Sequence, residues 1–212
     1  MWPEGEKTIQ LLTGVRDGDD DAMNALLERH RVAVRRMVQM RMDQAIARRV
    51  DASDVVQDVM LEASSRLQDY LQNPGMPFHL WLRQLAKDRI IDMHRRHRVA
   101  QRRSVDREQQ VFSIGDDEQS VADLATLLKD ADLTPGAAAI QNEFMNRFMI
   151  ALNELSEDDR ELIMMRHFEG LGNSEVAAAL ELSEAAAGMR HLRALKKLRS
   201  ALGGDSQQPV DA

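Results

Sequence analysis

The sequence predicts an all-α protein made of two small helical domains joined by a flexible acidic linker, and three observations carry that expectation. Aromatic residues make up only 4% of the chain, against 13 methionines. That balance suits thin helical cores, because strands favour β-branched and aromatic side chains. Apolar residues recur at three- and four-residue steps through most of the chain. Between residues 104 and 139 the period is lost and carboxylates dominate, as in a segment that cannot bury a core.

At the N-terminal end, "TIQLLTGVR", residues 8–16, is a short apolar helix stopped by the turn residues "DGDDD", whose last aspartate, Asp21, can cap the next helix. That helix, Ala22 to Met42, sets Met23, Leu26, Leu27, His30, Val34, Met37 and Val38 on one stripe. A second long helix, Asp54 to Tyr70, takes Ser53 as its expected cap and ends before "NPG". Pro77 suits the opening of a helix running to about Arg103. Residues 1–103 form the first expected domain and 104–140 the linker, where Asp106, Glu108, Asp116, Asp117, Glu118, Asp123 and Asp130 outweigh Arg107 and Lys129. One short helix is expected there, at Val121 to Leu128, before the stop "TPG". Four helical pieces, 141–154, 157–168, 174–180 and 184–202, make the second domain, and 203–212 a disordered tail.

Composition excludes several classes. No cysteine is present, so disulfides, thiolate metal sites and cysteine nucleophiles are ruled out together. No apolar run approaches a membrane span and no charged-then-apolar leader opens the chain, so a cytoplasmic protein without a membrane partner is expected. Net charge is −7 and the isoelectric point about 5.4. Against that acidity, "AAAGMRHLRALKKLRS" at 185–200 holds Arg190, Arg193, Lys196, Lys197 and Arg199 with no carboxylate.

"NSEVAAAL", a short turn, then "EAAAGMRHLRALKKL" has the lengths of a helix-turn-helix, with Ser183 capping the second helix. Projected at about 100° per residue, Ala187, Leu195, Leu198 and Leu202 fall on one side and Ala186, Arg190, Arg193 and Lys197 on the other. A cationic helix face of this size fits the major groove of DNA. A second basic stretch, "WLRQLAKDRIIDMHRRHRVAQRR", comes after Phe78, with Trp81 more at home in a core than against a base. On the Asp54–Tyr70 helix, Asp54, Gln57, Asp58, Ser65 and Gln68 face away from the apolar side, and Leu61 falls among them. A leucine ringed by acids and amides reads as an anchor for a basic protein surface.

Three blocks, "DASDVVQDVMLEASSRL", "PFHLWLRQLAKDRIIDMHRRH" and "LNELSEDDRELIMMRHFEGLGNSEVAAALELSEAAAGMRHLRALKKLRSAL", together resemble bacterial RNA polymerase sigma factors of the sigma-70 family, in the ECF (extracytoplasmic function) group. The first two are similar to region 2 of that family and the third to region 4. The resemblance implies a non-enzymatic initiation subunit whose partners are core RNA polymerase, through its β′ clamp helices and β subunit, and promoter DNA, with an anti-sigma factor as a further partner in many relatives. It assigns Asp54, Gln57, Asp58 and Leu61 to the clamp helices. Trp81, Asp88, Arg89, Asp92, Arg95 and Arg96 fall to the single-stranded −10 element, and Ala186, Arg190, Arg193 and Lys197 to the −35 element. The acidic linker would run through the polymerase toward the RNA exit channel.

Three positions depart from the family's pattern. Asp88 stands where asparagine is common, Glu181 where the turn glycine is usual, and His191 where leucine packs. No cofactor or metal is expected. Asp17, Asp19, Asp21 and Glu28 have calcium-loop spacing, but Ala22 sits where that loop needs glycine. His94 and His97 lack a carboxylate on the same turn and read as part of the basic face. Two other readings remain open on sequence grounds: a ligand-sensing one-component helix-turn-helix regulator, and an all-α metal-dependent enzyme built on Asp54 and Asp58.

Overall fold

Aspartate caps set where two of the long helices begin. The computed structural model describes residues 2–3, 5–42, 49–101 and 147–203, and all regular structure among them is helical. Helix α1 spans Glu6–Arg16, α2 Asp20–Arg41, α3 Ala52–Gln72 and α4 Phe78–Gln101. α2 is capped by Asp19, whose carboxylate accepts from the N–H groups of Asp21 and Ala22 at 2.9 and 3.1 Å. Asp21, the expected cap, instead lies in the first turn, where its charge faces the positive end of the helix. The same correction applies to α3: Asp51 accepts from Ser53 N–H at 2.8 Å, so Ser53 is inside the helix it was expected to cap. At α3 the ionised acceptor, Asp51, makes a stronger bond than the serine hydroxyl would. α2 runs unbroken through Ala22, leaving no calcium loop.

The chain divides into two compact units, Met1–Ile114 and Gly115–Ala212. The expected linker at 104–140, its short helix at Val121 to Leu128 and tail residues 204–212 lie outside the described residues. In the first unit α2 packs against α1, α3 and α4. The core takes Leu26, Val34, Met37 and Val38 from α2, Val59, Ala63 and Leu67 from α3, and Leu82 and Ala86 from α4. Truncating one such leucine to alanine costs about 2–5 kcal/mol. α1 starts two residues before its apolar pattern, and within its first turn buried Thr8 donates to the Pro3 carbonyl at 3.1 Å and accepts from Arg29 Nε at 3.2 Å.

In the second unit, α5 is described over 147–154, and α6 spans Glu157–Ile163, capped by Ser156. The Arg160 guanidinium donates to the carbonyls of Leu152, Asn153 and Leu155 at 3.0–3.2 Å, which satisfies the open end of α5. The single helix expected over 157–168 instead ends in a π-helical turn, Met164–Phe168, which buries Met164, Met165 and Phe168. α7 spans Asn173–Ala179 and α8 Glu184–Gly203, and α8 packs on α6 and α7. Arg147 reaches from α5 to the Leu202 carbonyl at 2.9 Å, tying the last turn of α8 to α5. No helix among the described residues is long and apolar enough to cross a membrane.

Candidate nucleic-acid and partner interfaces

On α3, the apolar side (Val55, Val56, Val59, Met60, Ala63, Leu67) is buried and the opposite side carries exposed Asp54, Gln57, Ser65 and Gln68. Leu61 stands among them at 62% exposure. Asp58, the fourth residue expected on this face, is half exposed and pairs with Arg89 of α4. One residue expected to dock a protein thus holds one expected to meet DNA, and the ion pair fixes the two helices relative to each other.

Along α4, Gln84, Asp88, Ile91 and Arg95 form an exposed strip, with Ile91 half exposed. Arg96 is exposed, and Asp92 pairs with Arg95 one turn on at 3.1 Å. Trp81 is half-buried: it stacks on Tyr70, ring centres 4.8 Å apart, and leans on Phe78 at 5.6 Å. Where α3 ends and α4 begins, a cavity of about 370 Å³ is lined by Arg66, Asp69, Tyr70, Asn73, Gly75, Met76 and Trp81. Its mouth is shaped by the Tyr70 hydroxyl, which donates to the Met76 carbonyl at 2.9 Å. The aromatic pair Tyr70 and Trp81, on either side of "NPG", is the one sequence signal of this cavity. His94 does not join the basic face as expected: its Nε2 lies 3.2 Å from the Arg41 carbonyl on α2.

Helices α7 and α8 meet as a helix-turn-helix. Glu175 reaches back to Gly172 N–H to cap α7, and Ser183 Oγ accepts from Ala186 N–H at 3.2 Å, the cap expected for α8. Glu181 takes φ 55°, so the turn keeps a left-handed residue even without glycine. That conformation costs a side-chain-bearing residue about 1 kcal/mol.

The faces of α8 differ from the projection. Ala187, Ala194 and Leu198 form the buried stripe, while Leu195 and Leu202 are only half-buried. Arg190 is held by Asp158 at 2.8 Å and Asp159 at 2.9 Å, and Lys197 by Asp159 at 2.6 Å, all on the first turn of α6. Burial alone would raise the Asp159 carboxyl, but the bonds from Lys197, Arg190 and Ser156 outweigh it and hold the group below the usual carboxylate range. Ala186 and Arg193 are exposed, as are Met189 at 55% and Leu192 at 62%.

His191 lies in the packing zone, its Nε2 2.8 Å from Nε2 of His167 in the π turn. One neutral imidazole donates and the other accepts. Burial, His191 and Arg166 push His167 down to about 4, and burial and Arg166 lower His191. Among the described residues no group of three or more His, Asp or Glu side chains is arranged to hold a metal ion.

Comparison with known proteins agrees with this architecture. Residues 6–203 match the family model described as ECF sigma factor. The RNA polymerase sigma factor CnrH of Cupriavidus metallidurans is 29% identical over 208 residues, covering 98% of this chain and all of that one. The ECF RNA polymerase sigma factor SigD of Mycobacterium tuberculosis is 27% identical, covering 94% and 85%. Among solved structures, CnrH in complex with the cytosolic domain of CnrY aligns with TM-score 0.59 and 24% identity over 95% of this chain and all of that one. RpoE of Bartonella quintana, in complex with the anti-sigma factor NepR, aligns with TM-score 0.51 and 20% identity over 82% and 92%. A helical unit with an anchored acidic face and a helix-turn-helix unit, matched by one family model across both, place the chain in the ECF sigma factor family.

Proposed function

We propose that this chain directs core RNA polymerase to promoters, with α3 as the docking face and α4 and α8 as the DNA-reading helices. The observation that carries this is Leu61, an exposed leucine on the acidic and amide-bearing side of α3. An apolar anchor flanked by Asp54, Gln57 and Asp58 fits a basic, grooved protein surface such as the β′ clamp helices. Asp88, Arg95 and Arg96 lie on α4 where a melted −10 strand would pass, and Arg89 and Asp92 steady that surface through their ion pairs. The cavity beside Trp81 is of a size to take one unpaired base, stacked on the indole; unstacking that base costs only a few kcal/mol.

Phosphodiester chemistry belongs to the polymerase, and this chain is not an enzyme. With a net charge of −7 the chain repels DNA at long range, so promoter binding becomes effective once the acidic surfaces are docked. The solved relatives are each bound by a second protein, and an anti-sigma partner competing for the docking face is part of the same proposal, in a cytoplasmic setting. A one-component regulator is not favoured, because the family match extends through the first unit as well as the helix-turn-helix.

The test is reconstitution of the full chain with bacterial core polymerase on a promoter library, with transcript starts sequenced. Directed initiation supports the reading. Tight duplex binding by the chain alone, with no response to core polymerase, overturns it.

A further inference from the structure

We propose that α8 reads its DNA element through an apolar strip, Met189 and Leu192, which recognises the 5-methyl groups of thymine, while Arg190 and Lys197 act as positioning residues. The inference rests on the promoter-recognition reading above and specifies how one of its contacts is made.

Three sides of α8 have different fates. One side, Ala187, Ala194 and Leu198, is packed. A second, Arg190 and Lys197, faces the carboxylates of Asp158 and Asp159 on α6. Asp159 is buried, so moving both cations to phosphates would strand a buried carboxylate. These side chains therefore hold α8 against α6. The third side, opposite the packed one, is the side able to enter a groove, and it carries Ala185, Met189, Leu192, Arg193 and Lys196 on successive turns, all exposed.

The chemistry of that third side is unusual for a base reader. Its N-terminal half offers methyl, methylene and thioether groups, and the Ser183 hydroxyl is already committed to the cap. No asparagine or glutamine is present on α8 to grip adenine. In the major groove, the one apolar group a base edge presents is the thymine methyl. Arg193 and Lys196, farther along the strip, supply the cations that hold it against phosphate. The large exposed apolar groups and the cations share one face, as a thymine-bearing groove requires.

The experiment uses the full chain assembled with core polymerase and a promoter selected from the library. Each thymine of the −35 region is replaced in turn by deoxyuridine, which keeps the pairing and the O4 acceptor and lacks the methyl. Open-complex formation is expected to fall about 3–5-fold at one or two positions, the value of one buried methyl group. The Met189→Ala/Leu192→Ala variant should bind core polymerase normally and no longer distinguish thymine from uracil. In parallel, Arg193→Gln should reduce the salt dependence of promoter binding by about one counterion, whereas Arg190→Gln should leave that slope unchanged and lower the thermal stability of the second unit. Directed initiation with uracil tolerated at every position, discrimination that persists in the double variant, or a selected element without thymine overturns this inference alone. Absence of directed initiation overturns the parent reading and this inference with it.

Discussion

Leu61 on α3 and Leu192 on α8 are exposed to the same degree, 62% each, yet the charges around them are opposite. Leu61 stands with Asp54, Gln57 and Asp58; Leu192 stands with Met189, Arg193 and Lys196. Each helix carries an exposed leucine inside a charged frame, and in the proposed reading the sign of the frame selects the partner. A carboxylate frame admits a basic protein surface and rejects phosphate, whereas a cationic frame does the reverse. The two helices also differ in what they conceal. α3 leaves Asp54 and Asp69 exposed and pairs Asp58 with Arg89 and Glu62 with Arg66, whereas α8 has two of its cations, Arg190 and Lys197, engaged by the carboxylates of α6. The charge written along a helix is therefore not the charge it presents.

Substitution at Leu61 puts this contrast under the greatest stress. Leu61→Asp should weaken core-polymerase binding by about 30-fold or more, the scale of an interface hot spot. The unfolding transition should be unchanged, because the side chain is exposed. Normal assembly measured by equilibrium binding would move the docking face elsewhere. Next in size is Asp159→Ala, which removes the acceptor shared by Arg190 and Lys197 and should cost the second unit about 2 kcal/mol in denaturant unfolding. An unchanged midpoint would make those cations candidate DNA contacts once more.

The histidine pair gives a pH test of how firmly α8 is held. Burial and neighbouring cations lower both imidazoles in the folded state, His167 to about 4. The unfolded chain therefore takes up protons first. The stability contributed by the neutral pair is complete above about pH 6.5 and is lost as the pH falls toward 4. Allowing for partial exposure of both rings, the loss should be about 1–2 kcal/mol, read by hydrogen exchange of α8 amides. His167→Leu/His191→Leu should flatten that dependence; an equally steep profile in the variant would place the acid sensitivity elsewhere. At Glu181, replacement by glycine removes the left-handed strain and should stabilise the unit by about 1 kcal/mol in thermal unfolding. The smallest energetic effect is expected from Asp88→Asn, which should alter −10 base preference in a promoter library while core affinity stays the same.

Leu61 was legible in the sequence because α3 is strongly two-sided, so a leucine on its polar side stands out. The strip on α8 was not, since apolar residues surround most of that helix. Two of the three residues on its buried side, Ala187 and Ala194, are small, and only Leu198 is large. Larger Met189 and Leu192 are left outside. The pairing of Arg190 and Lys197 with Asp158 and Asp159 spans more than thirty residues of chain, beyond any local period. Asp19 and Asp51 each had another cap-forming residue two positions away, and only the hydrogen bonds decide between them. The π turn leaves no trace in a pattern read at 3.6 residues per turn, although the presence of the helix that contains it was plain.

The bond from Arg147 to the Leu202 carbonyl clasps the last turn of α8 to α5, 55 residues earlier in the chain. Truncating the chain before Leu202 should release the far end of α8 and let it fray, whereas changes after Gly203 leave the clasp whole. The hold on the last turn of α8 thus depends on one backbone oxygen.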